Sequence, residues 1–262
     1  MFEIVLDPGH YTGYNAGIIP GFYEGNNNFE ACVYWKEYME SHYEDVRVTL
    51  TKNTMSENPD LIERGAKGRN ADLFYSWHSN YYINSAAHGV SSFSSVRRDG
   101  KNLCDAISKA VVSTFKECGS SDTYYRGYTQ RADRDYADVD YYGVLRSATL
   151  ENPEKAPYGA KPIDTKCKNA IIIEHGFHSN LEECAVLNNP ASLKKIVENE
   201  IKAIAEYFSL KAKDPVPPEN YYYFAVLSAN KNKKYAEEDV AKAKKLGFED
   251  AYVKYAPRDG AL

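Results

Sequence analysis

An apolar run that ends in an acid constrains the fold of this chain more than any other feature. Ile171, Ile172 and Ile173 are consecutive β-branched residues, and such a run is typical of a buried strand. Glu174 follows without a break, in the segment IIIEHGFHSN. A carboxylate at the end of a buried strand loses hydration, so either a structural partner compensates it or it takes part in proton transfer.

Strand patterns alternate with helix patterns along the first 208 residues. The predicted strands cover residues 2–7, 45–52, 71–78, 89–96 and the run that ends at Glu174. Helices are predicted at residues 29–39 and 103–118, a short helix opens at Pro59, and residues 182–208 contain one or two helices. This alternation predicts an α/β fold with a mixed, mostly parallel sheet flanked by helices. Residues 120–168 are predicted to be irregular and tyrosine-rich, which suits sugar or peptide contacts as well as ordinary packing.

A change in composition predicts a boundary near the C-terminus. Residues 209–220 contain a proline-rich stretch typical of a stiff linker, so residues 1–208 are predicted to form one domain. Residues 221–262 form a small α+β unit in this interpretation, with strands at 221–228 and 248–255 around a helix at 236–246.

The bulk properties argue against two classes of partner. The formal net charge is −5 and no basic block is present, so we expect no nucleic-acid binding. No apolar stretch is long enough for a membrane span, and the opening MFEIVLDPGH lacks the cationic start of a signal peptide, so we expect neither membrane insertion nor a signal peptide. The five cysteines are scattered without a CxxC pair, which favours reduced thiols.

Three polar residues stand at predicted strand or helix ends. His10 follows the first strand, Glu24 lies in the loop ahead of the first helix, and His78 closes the strand FYSWH. Side chains from distant segments converge at the carboxyl ends of strands in α/β sheets. Two imidazoles and a carboxylate suit a catalytic zinc with one position left for water, although each residue could instead be a hydrogen-bonded structural group. Glu174 would then be the base that accepts the proton of that water.

Other polar residues near these positions have weaker predicted roles. Asn80 and His178 are candidate substrate-binding residues, but Asn80 could equally stabilise a turn. Strand alternation places His175 on the face opposite Glu174, which predicts a structural or surface histidine. Asp7 is predicted to support either the loop that carries His10 or the His10 side chain itself.

Several motifs, taken together, resemble one enzyme family, the zinc-dependent N-acetylmuramoyl-L-alanine amidases of type 3. The resemblance covers roughly residues 1–208. Its motifs are the DPGH sequence at Asp7–His10, the glutamate ahead of a helix at Glu24, the serine-x-histidine-x-asparagine motif at Ser76–Asn80, the valine-leucine-arginine at Val144–Arg146 and the glutamate-x-glycine-phenylalanine motif that starts at Glu174.

The resemblance implies a fold, a cofactor and a reaction. By analogy, His10, Glu24 and His78 bind one Zn²⁺ ion and Glu174 is the catalytic acid and base. Such enzymes cut the amide between N-acetylmuramic acid and the L-alanine of the stem peptide, so the implied partner is peptidoglycan. The expected absence of a signal peptide favours a phage endolysin that waits in the host cytoplasm until it is released to the cell wall.

Two other functions fit the same residues. A zinc peptidase that cuts within the stem peptide would use the same ligands, and a non-catalytic cell-wall-binding protein would keep only the binding surface. Residues 221–262 resemble one half of a SPOR repeat, a peptidoglycan-binding fold that normally joins two halves. Such a small unit needs a partner for its sheet, so we expect a homodimer formed through 221–262, or docking of this unit onto its own catalytic domain.

Overall fold

The structure is a computed structural model that describes residues 1–213 and 233–245, and the chain divides into two compact units, Met1–Asp214 and Pro215–Leu262. The strands of the first unit are β1 Phe2–Pro8, β2 Val46–Leu50, β3 Leu73–Asn80, β4 Val90–Ser94, β5 Tyr125–Gln130 and β6 Asn169–Phe177. Its helices are α1 Glu24–His42, α2 Leu61–Ala66, α3 Lys101–Glu117, α4 Gly143–Thr149, α5 Leu181–Asn188 and α6 Pro190–Phe208, with a 3₁₀ turn at Ala156–Tyr158.

The strands form one six-stranded sheet in the order β2-β1-β3-β6-β4-β5. Strands β2, β1, β3 and β6 run parallel to one another, β4 is antiparallel to β6, and β5 is parallel to β4. The predicted α/β class, with a mixed and mostly parallel sheet, is therefore confirmed. Because parallel neighbours need a crossover, α1 connects β1 to β2 and α2 connects β2 to β3.

The two faces of the sheet are covered by different helices. On one face, side chains such as Tyr75, Trp77 and Ile173 are buried against α1, α3 and α6. On the other face, Phe74 and Ile172 are buried against the shorter helix α4. Burial on both faces explains why the central strands are continuous apolar runs. The polar groups that follow these runs therefore lie together at the carboxyl ends of the parallel strands.

The region predicted as helical at 182–208 is two helices, separated at Asn189. The Asn189 side chain accepts hydrogen bonds from the backbone N–H groups of Ala191 and Ser192, which caps α6. Pro190 occupies the first turn of α6, where a missing N–H costs nothing. Asn180 caps α5 in the same way through the N–H groups of the first turn. Two asparagine caps therefore set the boundaries that the apolar periodicity alone did not show.

Two sequence predictions are corrected by the structure. Residues 120–168 are not irregular throughout, because they contain β5 and α4. The strand was missed because YRGYTQ lacks the alternation of apolar and polar residues that marks a half-buried strand. Glu24 does not lie in a loop but is the first residue of α1, where a negative charge interacts favourably with the helix dipole.

In the second unit the structure describes one helix, α7 at Lys233–Lys245, which corresponds to the helix predicted at 236–246. The strands predicted at 221–228 and 248–255 lie outside the described residues. All five cysteines are free thiols, as predicted. None of the helices within residues 1–213 and 233–245 has the length and the apolar content that crossing a bilayer requires.

Candidate metal centre and active site

The pairing of β3 with β6 places two of the predicted site residues side by side. His78 and Glu174 are register partners on these adjacent parallel strands. Alternation along each strand puts both side chains on the same face as Phe74 and Ile172. Glu174, which ends the apolar run, therefore lies directly beside the imidazole of His78, a residue 96 positions earlier in the chain.

His10, Glu24 and His78 come together at the carboxyl ends of β1 and β3. His10 Nε2 lies 3.3 Å from Glu24 Oε2, and His78 Nδ1 lies 3.2 Å from Glu24 Oε1. The two imidazole rings are 4.9 Å apart and perpendicular. The structure thus brings all three predicted metal ligands into one cluster.

The geometry of this cluster fits a zinc ion. One ligand atom from each residue lies within 4.8 Å of the others. Ligand bonds of roughly 2.0–2.1 Å in a tetrahedral site put ligand atoms about 3.3 Å apart. The two nitrogen–oxygen distances given above are of this size, although each runs to a different oxygen of Glu24. Two nitrogen donors and one carboxylate are also a donor set that zinc prefers. The residues present therefore fit the metal that the sequence predicts.

Glu24 is held by hydrogen bonds that fix its carboxylate. Asn15 Nδ2 donates to Oε2 at 2.6 Å, and Asn28 Nδ2 and the Ser79 backbone N–H donate to Oε1 at 3.3 and 3.1 Å. Burial acts to raise its pKa, but hydrogen bonding to His78 and the other favourable contacts outweigh burial and lower the pKa to about 2. Glu24 is therefore ionised at any physiological pH, as a carboxylate ligand of a metal must be.

The segment that carries His10 has an unusual backbone. His10 has a φ of 61°, in the left-handed region that non-glycine residues rarely adopt. Lys52 donates a hydrogen bond from Nζ to the His10 carbonyl and helps to hold this conformation. Gly9 is required here, because a Cβ at this position would lie 2.2 Å from His78 Cε1. Burial lowers the pKa of His10 to about 4, which keeps the ring neutral and able to bind a metal.

A buried ion pair supports the segment that leads to His10. Arg64 donates from Nε and Nη2 to the two carboxylate oxygens of Asp7, each at 2.7 Å. Thr51 and Ser76 add hydroxyl hydrogen bonds to the same carboxylate at 2.6 Å. Arg64 also donates to the Pro8 carbonyl, so the pair fixes the backbone two residues before His10. Asp7 supports the loop in this way and makes no described hydrogen bond to the His10 ring.

Glu174 has the properties of a general base. Its side chain is partly exposed, but Oε2 is buried and has no hydrogen-bond partner among the described residues. Burial raises its pKa; the charge of Glu24 adds to this and His78 opposes it, which gives a value of about 7. A carboxylate with such a pKa can both accept and return a proton at neutral pH. The raised pKa and the unpartnered oxygen are what proton transfer requires, and the catalytic role of Glu174 stays a prediction.

His175 faces away from the site, as strand alternation predicts, and it is fully buried. Its Nε2 lies 2.8 Å from Glu200 Oε2, and its Nδ1 lies 2.9 Å from the backbone oxygen of His78. Tyr75 and Trp77 also donate to the Glu200 carboxylate. Of the two predictions for His175, a structural or a surface residue, the second is therefore wrong. Its contacts instead connect α6 to the backbone of a candidate metal ligand.

The two candidate substrate contacts, His178 and Asn80, differ in how far they are buried. His178 is fully buried, and its Nδ1 lies 2.9 Å from Ser79 Oγ, so a substrate contact by this ring stays a prediction. Asn80 is the last residue of β3, and its Oδ1 accepts a hydrogen bond from the Tyr81 N–H. This contact is the turn-stabilising alternative.

Sequence reasoning missed three charged residues that support the site. They are Lys52, Arg64 and Glu200, which contact the His10 backbone, Asp7 and His175. Each belongs to a predicted strand or helix, where a charge normally marks the exposed side. No local signal in the sequence distinguishes them from surface charges.

Comparisons with known proteins show the family to which the sequence is similar. The sequence model of the amidase type 3 family, described as N-acetylmuramoyl-L-alanine amidase, matches residues 4–206. No curated protein matches the chain in sequence.

Solved structures share the fold at low sequence identity. The catalytic domain of CwlV, an N-acetylmuramoyl-L-alanine amidase from Bacillus (Paenibacillus) polymyxa var. colistinus, is 20% identical with a TM-score of 0.58, over 80% of this chain and 100% of that one. An N-acetylmuramoyl-L-alanine amidase from Clostridium difficile 630 is 19% identical with a TM-score of 0.58, over 79% and 97%. AmiC2 of Nostoc punctiforme is 18% identical with a TM-score of 0.57, over 79% and 97%.

The family model spans most of the first unit, including all four clustered site residues. The structural matches cover the same α/β sheet and nearly the whole of each matched chain. This chain belongs to the N-acetylmuramoyl-L-alanine amidase family.

Proposed function

We propose that this protein hydrolyses the amide between N-acetylmuramic acid and the L-alanine of the peptidoglycan stem peptide, with zinc as its cofactor. One observation supports this most directly. A carboxylate with a pKa of about 7 and a free, buried oxygen lies in register beside a cluster of two histidines and a glutamate. Hydrolysis of an amide needs a water that loses a proton and a leaving amine that gains one, and this arrangement provides a group for both transfers.

Each residue has a distinct part in the proposed mechanism. His10, Glu24 and His78 would hold the zinc ion. When bound, zinc supplies Lewis-acid chemistry that polarises the amide carbonyl and lowers the pKa of water. Glu174 accepts a proton from the attacking water at its free oxygen and then donates it to the nitrogen of the departing L-alanine. Hydrogen bonds from Asn15 and Ser79 keep Glu24 in place during this cycle.

The test is digestion of purified peptidoglycan followed by mass spectrometry of the soluble products. The proposed activity releases intact stem peptides that begin with a free L-alanine amino group and leaves glycan strands without peptides. A peptidase would release shorter peptides and leave L-alanine attached to the glycan. A non-catalytic binding protein would sediment with the peptidoglycan and release nothing, and either result would contradict the proposal.

The second unit, which includes α7, is proposed to pair with a copy of itself and to assist attachment to the wall. A unit of this size gains stability from a partner that buries part of its surface. Light scattering of the full chain and of a chain ending at residue 213 tests the pairing, and sedimentation with peptidoglycan tests attachment. The role as a phage endolysin stays a prediction, and lysis of a host from within is its test.

A further inference from the structure

Two tyrosines lie in the loop that follows β1, beside the three candidate metal ligands. Tyr11 and Tyr14 are 37% and 38% exposed, and their ring centroids are 5.0 Å apart. The Tyr14 ring is stacked on the His10 imidazole, with centroids 4.5 Å apart and an interplanar angle of 20°. These aromatic faces therefore begin directly at a candidate metal ligand.

A second pair of tyrosines lies in the loop that follows β3. Tyr81 and Tyr82 are 57% and 56% exposed. The Tyr81 ring is 5.7 Å from the ring of His178, which in turn bonds to Ser79, the neighbour of His78. We call Tyr11, Tyr14, Tyr81 and Tyr82 the tyrosine rim, because both pairs are carried by loops that leave the site edge of the sheet.

The backbone of both loops is fixed by specific contacts. The Tyr82 N–H donates to Ser179 Oγ at 3.0 Å, and the Thr12 N–H donates to the Met55 carbonyl at 3.1 Å. The Tyr11 carbonyl packs against Gly25, where an added Cβ would lie 1.9 Å away. Rigid aromatic side chains on fixed loops lose little entropy when they bind a ligand.

The rim is chemically suited to a neutral, half-polar ligand. Residues 11–23 and 79–96 contain no Asp, Glu, Lys or Arg, so neither loop offers a charge to pair with the carboxylates of a stem peptide. Within the described part of the chain, none of the four rim hydroxyls forms a hydrogen bond. An apolar ring face next to an unused hydroxyl matches a pyranose ring, which has C–H groups on its faces and hydroxyls at its edge.

We propose that the tyrosine rim binds the sugar on the acyl side of the scissile amide, an N-acetylated hexosamine of the glycan strand. This inference rests on the proposed function, since the amide that is cut joins such a sugar's lactyl group to the peptide. The rim would orient the carbonyl carbon toward the metal cluster and Glu174 and would make the enzyme prefer substrates that carry the sugar.

The test compares two substrates with the same scissile amide: N-acetylmuramoyl-L-alanyl peptide and a lactyl-L-alanyl peptide that lacks the sugar. We expect the native enzyme to prefer the sugar-bearing substrate in kcat/KM, and Tyr81→Ala and Tyr11→Ala each to reduce this preference about tenfold, mainly through KM. Tyr81→Phe should retain most of the preference, since it keeps the ring face.

The matched control is Tyr207→Ala. Tyr207 is 42% exposed and adjoins Phe208. The ring centroid of Phe208 lies 4.7 Å from that of Phe2, which begins β1 at the end of the strand opposite the candidate site. This variant should keep the native preference. An unchanged preference in both rim variants, or an equal loss in Tyr207→Ala, would overturn the proposal. If the native enzyme cleaves neither substrate, the proposed function itself fails, and binding of the free sugar to the rim can still be measured by calorimetry.

Discussion

His78 and Glu174 occupy directly paired positions on two adjacent parallel strands, so the backbone of the sheet sets the separation between a candidate metal ligand and the candidate base. Side chains carried by paired strands are placed more precisely than side chains carried by loops, because the interstrand hydrogen bonds fix the backbone of both strands. The charge of His78 lowers the pKa of Glu174, whereas burial and Glu24 raise it. The acid–base properties of the site therefore depend on the register of the sheet.

Replacement of His10 or His78 by Ala should remove zinc and activity together, because each is one of the three candidate protein ligands. Metal content is measured by elemental analysis of the purified variants, and activity by the release of stem peptides. His88→Ala is the control, since His88 lies outside the cluster. Chelation should abolish activity in the native protein and added zinc should restore it. Full activity in a chelated, zinc-free sample would contradict the assignment.

Glu174→Gln should retain zinc and lower turnover by roughly two to four orders of magnitude, since it removes the proton acceptor and leaves the three ligands intact. Steady-state kinetics and elemental analysis on the same preparation separate the two effects. Loss of zinc in this variant would show that Glu174 and not only Glu24 binds the metal.

The pKa of Glu174 also predicts how the stability of the metal-free protein depends on pH. The folded state keeps its proton up to about pH 7, whereas an unfolded chain releases it near 4.5. The folded state thus binds more protons in this window, so this group lowers stability as pH rises from 4.5 to 7. Glu174→Gln removes the effect, and its melting temperature relative to the native protein should increase between pH 5 and pH 8. A constant difference across this range would show that the pKa is not raised.

Arg64→Leu should lower the free energy of unfolding by about 3–5 kcal/mol, because it leaves the Asp7 carboxylate buried without its charged partner. Arg47→Ala is the matched control. Arg47 pairs with Glu3 at the surface, with 63% of its side chain exposed, and should cost less than about 1 kcal/mol. Denaturant unfolding measures both variants. Equal effects would show that the buried pair contributes no more than a surface pair.

Glu200→Leu should both destabilise the protein and weaken zinc binding. The change leaves Tyr75, Trp77 and His175 without the acceptor that they share. His175 contacts the backbone oxygen of His78, so a displaced ring should move that ligand and lower metal affinity about tenfold or more. Glu200→Gln keeps an acceptor and should be milder. Zinc titration of the folded variants is the measurement, and native affinity in Glu200→Leu would contradict the coupling.

The local sequence determined the secondary structure that carries the site. The run at Ile171–Ile173 indicated a buried strand, because β-branched residues without polar alternation pack on both faces of a sheet. The position of His10 and His78 near strand ends also followed from local pattern, and the family motifs supplied their expected roles. These features depend on neighbours within a few residues, which is why one sequence was sufficient to predict them.

Tertiary structure alone decided which charged and polar side chains are buried and which of them pair. Arg64 and Asp7 are 57 residues apart, and Tyr75 and Glu200 are 125 apart, so no local pattern reveals that they pair. His178 follows a strand in a polar segment, yet packing against Ser79 and Phe22 buries it completely. The antiparallel insertion of β4 beside β6 was equally invisible in the sequence. Burial of a polar group depends on partners that only the folded chain brings within hydrogen-bonding distance, and sequence periodicity does not contain that information.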